Sequence, residues 1–268
     1  MKKLSTIALA LLLTLGMISC GSGAESPRQS ESGGQEELIV FAAASMTETL
    51  EEIAGLYAAI EPDVKLVFNF DSSGTLKTQI EEGADCDLFI SAGQKQMNEL
   101  SELDLVAEDT RFDLLENRVT LVVPDGNPAN INSFDDMKER LLNGSILMSM
   151  GNSDVPVGQY TQQILEYFEL DEEALAASGL ISYGSNVKEV TTQVSEASVD
   201  CGVVYHTDAF SAGLDVADYA TVDMCGRVIY PAAVINTGNN RKAANVLLEY
   251  LTSPEAMRVF ENVGFSGV

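Results

Sequence analysis

From Glu37 to Val268 the sequence predicts an α/β protein with mainly parallel sheets, and three observations carry that prediction. Strand-like and helix-like segments alternate along the whole stretch. The strand-like runs are short, apolar and β-branched, as in strands buried on both faces. Five of them pass through small or polar residues directly into an amphipathic helix. About 230 residues suffice for a large core and for a division into two lobes. No short internal repeat is visible.

Met1 to Cys20 reads as a targeting segment, with Lys2 and Lys3 ahead of an apolar run from Ile7 to Leu15 that is too short to span a bilayer. Cys20, followed by Gly21-Ser22-Gly23, matches a lipobox cysteine, which would be acylated and become the first residue of the mature chain. Residues 21–36 are rich in Ser, Gly, Glu and Gln and read as a flexible tether.

The first folded element is Leu38 to Phe41, a strand ended by three alanines, and Ser45 then precedes Met46, Leu50, Ile53 and Tyr57 at helical spacing. Ser45 and Glu48 have the spacing of a capping box. A well-capped helix accounts for that pair; a helix N-terminus behind small residues also offers free N–H groups and a positive dipole end to an anion. The second junction joins Val64–Phe70 through Asp71-Ser72-Ser73-Gly74-Thr75 to a helix from Leu76 to about Glu82, with Gly83 at its end. The third runs from Ser145–Met150 to a helix carrying Pro156 in its first turn, where Val157 and Gly158 have N–H groups to spare. The fourth joins Leu180–Tyr183 to a helix capped by Asn186 with Glu189, leaving Val187 N–H as a donor. The fifth is the strand Cys201–Tyr205, ending in a phenol at its rim. Ligands of open α/β sheets bind outside the carboxyl ends of the strands, so five such ends point to one site.

Charge and cysteine usage bound the function. The chain has 15 Lys and Arg against 41 Asp and Glu; loss of Lys2 and Lys3 leaves 13 basic residues and a net charge of −28. Nucleic acid is excluded as a partner. A small anion is not, because hydroxyls and N–H dipoles can hold one without net positive charge. Cys86, Cys201 and Cys225 lack metal-type spacing and read as buried apolar thiols, with a Cys201–Cys225 disulfide left open. No cofactor and no side-chain metal site are expected.

The segments Phe41-Ala42-Ala43-Ala44-Ser45, Asp71-Ser72-Ser73-Gly74-Thr75-Leu76, Asp87-Leu88-Phe89-Ile90-Ser91-Ala92, Val155-Pro156-Val157-Gly158, Gly202-Val203-Val204-Tyr205 and Tyr230-Pro231-Ala232-Ala233-Val234, in that order, resemble the periplasmic molybdate-binding proteins of bacterial ABC importers. The resemblance implies a two-lobed type II periplasmic-binding-protein fold closing on molybdate or tungstate, a monomer that delivers its ligand to a membrane permease while anchored outside the cytoplasm through Cys20. It implies that Ser45 and Ser73 each supply a hydroxyl and an N–H, Val157 and Val187 an N–H, and Tyr205 its phenol. Many relatives have Ala at the position of Val157, a change that should matter little for a backbone donor. The lobes would be 37–117 plus 231–268, and 118–230, with crossovers at Asn117-Arg118-Val119 and Ile229-Tyr230-Pro231. Another tetrahedral oxyanion, sulfate or phosphate, is the alternative ligand. An enzyme using Cys201 or the single histidine, His206, is a further one, although no Asp at a recognisable position completes a triad. A sugar or amino-acid receptor lacks support, since the chain has no Trp and no evident carboxylate-binding Arg.

Overall fold

The computed structural model describes residues 35–268; the leader, the lipidation expected at Cys20 and the tether, except for its last two residues, lie outside them. β1 starts at Glu36, one residue inside the stretch read as tether. Among the described residues no helix is long and apolar enough to cross a membrane.

The chain begins β1 (Glu36–Ala43), α1 (Thr47–Ile60), β2 (Val64–Asp71), α2 (Ser73–Glu81), β3 (Leu88–Ile90), α3 (Gln94–Glu102) and β4 (Phe112–Asn117). It continues β5 (Val119–Val123), α4 (Phe134–Leu142), β6 (Met148–Gly151), α5 (Pro156–Tyr167), α6 (Glu172–Ala177), β7 (Ile181–Gly184), α7 (Val187–Ser195), β8 (Cys201–Tyr205), α8 (His206–Ala212), β9 (Asp215–Tyr219) and α9 (Val222–Cys225). It ends β10 (Val228–Val234), α10 (Arg241–Leu251), α11 (Pro254–Asn262) and β11 (Ser266–Gly267). Two sheets result, a six-stranded one in the order β11-β4-β10-β3-β1-β2 and a five-stranded one in the order β7-β6-β8-β5-β9.

The α/β class holds, but the sheets are mixed rather than mainly parallel. β1 pairs parallel with β2 and β3, as β6 does with β7 and β8. β10 pairs antiparallel with β3 and β4, β11 with β4, and β5 with β8 and β9. A parallel neighbour needs a helical crossover back over the same sheet. The chain instead reaches β5 and β10 from the other sheet, with only Arg118 between β4 and β5.

β1 is buried on both faces, as its composition requires. Leu38, Val40 and Ala42 join the main core, while Phe41 joins a smaller cluster with Leu76, Ile80, Phe89, Met97 and Leu100 beneath α2 and α3. Alternate residues of one strand thus serve two layers. β2, at the sheet edge, is only partly buried and carries Lys65 and Asn69.

Candidate functional site

The parallel strands deliver their carboxyl ends to one place, and the turns there bring small residues and helix N-termini together. Ala43, Ala44, Ser45, Asp71, Ser72, Ser73 and Ala92 from the first sheet's loops face Val155, Pro156, Val187 and Tyr205 from the second's across a cavity of about 10 Å³. That is room for about one water-sized particle. Ser45, Ser73, Val187 and Tyr205, expected from the sequence to share a ligand, all line it. Val157 does not: it is wholly buried as the second residue of α5, and the wall there is formed by Val155 and Pro156. At that position its N–H has no acceptor within the helix.

Ser45 is not the helix cap its spacing with Glu48 suggests. It sits in a 3₁₀ turn, Ala44–Met46, and α1 begins at Thr47 with no side-chain cap. The extra turn places the Ser45 hydroxyl 2.9 Å from Tyr230 Oη. Glu48 turns outward instead and pairs with Lys188 Nζ at 2.8 Å. In the second junction Ser72 is the cap, accepting from Thr75 N at 3.1 Å, so α2 starts at Ser73 rather than Leu76. Ser73 Oγ is thereby left to accept from Ala92 N at 2.9 Å, fully buried. Asn186 caps α7 by accepting from Glu189 N at 3.1 Å; the Glu189 carboxylate reaches Ser185 N at 2.7 Å, one residue short of a reciprocal box. Pro156 opens α5 as expected. α2, α5 and α7 therefore all end N-terminally around the cavity, and their dipoles favour negative charge there.

Tyr205 is almost fully buried and donates to Ala92 O at 3.3 Å. Burial, with Tyr230, Tyr160 and Asp208 nearby, pushes its phenol well above the ordinary value, so it stays a donor. One acid faces the cavity: Asp71, whose Oδ1 accepts from Ser72 N at 2.7 Å and from Asn186 Nδ2 at 3.5 Å. Ala92 and Asp71 escaped the sequence reading as site residues. The signal for Ala92 was present in Ser91-Ala92-Gly93 at the end of an apolar strand, the same junction type as the other five.

Neither Cys201 nor His206, the residues of the catalytic alternative, lines the cavity. Cys201 is buried in β8, where loss of solvent and Asp200 raise its thiol, and Cys225 is pushed up to about 11 by burial, so neither is a ready nucleophile. Cys86, Cys201 and Cys225 are all free, and no Cys201–Cys225 bond is formed. His206 is not among the residues lining the cavity; its ring packs on Gly264 and stands 3.4 Å from Tyr219 Oη, and partial burial with Arg118 lowers its affinity for a proton. Among the described residues no cluster of His, Cys, Asp and Glu could hold a metal ion.

The family model of bacterial extracellular solute-binding proteins matches residues 38–266. The molybdate-binding protein ModA of Haemophilus influenzae is 34% identical over 271 residues, 99% of this chain and 99% of its own length. A Bacillus subtilis protein named as an ABC transporter substrate-binding lipoprotein, YvgL, is 33% identical over 99% of this chain and 98% of its own. A solved structure from Clostridium difficile, named as the substrate-binding domain of a molybdenum ABC transporter, has a TM-score of 0.64 at 32% identity, covering 87% of this chain and 99% of that one.

Proposed function

Because the chain belongs to the bacterial extracellular solute-binding protein family, we propose that it captures molybdate, and tungstate with it, outside the cytoplasm and delivers the ion to an ABC permease. It is a binding protein and not an enzyme. One observation supports the ligand class above the others: Ser45, Ser73, Val187 and Tyr205, which have hydroxyls or N–H groups to offer, converge on one small cavity ringed by helix N-termini. In this reading Ser45, Ser73, Val157, Val187 and Tyr205 are the oxyanion ligands, Val157 through a backbone N–H behind the wall. Residues 37–117 with 231–268, and 118–230, would be the lobes that part to admit the ion and close on it, with Val228–Tyr230, the start of β10, already running in the first lobe's sheet beside β4. Acylation of Cys20 would tether a monomer to the membrane.

Isothermal titration of the chain starting after Cys20 with molybdate, tungstate, sulfate and phosphate tests this. Tight one-to-one binding of the first two with little heat from the others is expected; tight binding of sulfate or phosphate instead would assign that anion, and silence from all four would overturn the oxyanion reading. Ser73→Ala and Tyr205→Phe should each weaken molybdate by about 1–3 kcal/mol, the worth of a hydrogen bond to a charged group, without unfolding the protein. Unchanged affinity in both variants would place the ligand elsewhere.

A further inference from the structure

Behind the cavity, the Ser45 hydroxyl is held by a residue outside the expected ligand set. We propose that Tyr230, oriented by Asn117, is a positioning residue for the ligand, keeping Ser45 Oγ as an acceptor so that the serine's own O–H points into the cavity. The inference rests on the oxyanion reading of the site and deepens it.

The side-chain amide of Asn117 has a fixed orientation. Asn117 Oδ1 accepts from Arg118 N at 2.8 Å, so the other end of that amide is its NH₂ group. Nδ2 donates to Thr207 Oγ1 at 2.9 Å and to Tyr230 Oη at 3.2 Å. An amide NH₂ can only donate, so Tyr230 Oη is the acceptor in that pair. The phenol's other hydrogen bond is with Ser45 Oγ at 2.9 Å. If Ser45 were the donor there, Tyr230, which is 0% exposed, would have only Tyr205 Oη left for its O–H, an oxygen with which it makes no hydrogen bond of good geometry and whose own proton goes to Ala92 O. Leaving a buried donor unmet is costly, so the direction runs Asn117 to Tyr230 to Ser45. The Ser45 proton must then go elsewhere, and Ser45 lines the cavity.

Ser73 is arranged alike, its Oγ already accepting from Ala92 N. Each serine therefore has its own O–H free for an anion oxygen. Asn117 ends β4 and Tyr230 lies in β10, so the strands on which the chain leaves and re-enters the first sheet both take part in this lock.

The test has two parts. Neutron diffraction from crystals of the unliganded protein is expected to show the Tyr230 deuteron between its oxygen and Ser45 Oγ; a Ser45 deuteron in that position would overturn the proposal whether or not any anion binds. Titration of the wild type, Tyr230→Phe, Ser45→Ala and the double variant then reads function. Tyr230→Phe should weaken molybdate about tenfold, the size of one hydrogen bond. In the Ser45→Ala background the same change should cost almost nothing, whereas in a Ser73→Ala background it should cost its full amount. A full-sized loss in the Ser45→Ala background, or no loss in the wild type, would overturn the relay. A wild type inert to all four anions would instead overturn the oxyanion reading, with the deuteron position still judging the relay.

Discussion

Gly74→Ala is expected to lower molybdate affinity by about a hundredfold or more, close to 3 kcal/mol, while leaving the stability of the unliganded protein unchanged or slightly raised. Gly74 follows Ser73 in the first turn of α2, and its backbone rests against the loop that leads into α5. A Cβ there would lie 2.1 Å from the carbonyl oxygen of Asp154 and 2.9 Å from its carbonyl carbon. The obstacle is backbone, so a rotamer change does not relieve it. The ligand groups of the two sheets could no longer approach to the distance seen here, and an oxyanion would be reached from one side only. Alanine is a better helix former than glycine by up to about 1 kcal/mol, so α2 itself does not suffer. Gly158→Ala is the contrasting change. Its Cβ would meet the carbonyl oxygens of Gly151 and Asn152 at 2.3 Å, within its own strand-to-helix turn, and should damage folding rather than closure. Calorimetric titration with thermal melting of both variants separates the two effects. Wild-type affinity in Gly74→Ala would mean that the two sheets need not come this close for the ligand to bind.

The sequence made the strand ends legible because each is an apolar run that stops at small or hydroxyl residues, a pattern written within a dozen neighbouring positions. It placed Ser45, Ser73, Val187 and Tyr205 at the cavity for that reason. It misjudged only the capping role of Ser45, because a 3₁₀ turn and a capping box look the same over four residues; the hydroxyl's partner, Tyr230, lies 185 positions away. The mixed pairing of the sheets was hidden for a related cause. Antiparallel entry of β5 and β10 follows from where the chain changes sheet, and a strand's composition does not record which neighbour it will meet. Pairings across such distances, Ala92 with Ser73 and Tyr205 among them, are products of the assembled fold rather than of any one segment.

Asp208 makes stability fall as pH rises from about 4 to about 7, and Asp208→Asn should remove that dependence. The residue lies in α8, three positions after Tyr205, and is wholly buried, its carboxylate oxygens making no hydrogen bond. Loss of solvent raises its pKa from 3.8 to about 7, with Lys188 opposing and Glu48 adding to the rise. The groups facing it are Lys188 Nζ, 3.6 Å away on α7, Glu48 beyond that lysine on α1, and the phenols of Tyr205 and Tyr230. The folded state therefore holds a proton that the unfolded chain releases near pH 4. Its contribution to stability is complete below that value and is lost as pH rises through the folded pKa, about 4 kcal/mol in all. Urea denaturation at pH 5 and pH 8 should show the wild type losing more stability between the two than Asp208→Asn. Equal slopes would mean that the carboxyl ionises as it does in water. Lys188 holds Glu48 at 2.8 Å while it faces Asp208, so the same cation joins the helix carrying Val187 to the helix after Ser45. Removing it, as in Lys188→Met, leaves Asp208 without its nearest positive charge and should move the loss of stability to higher pH.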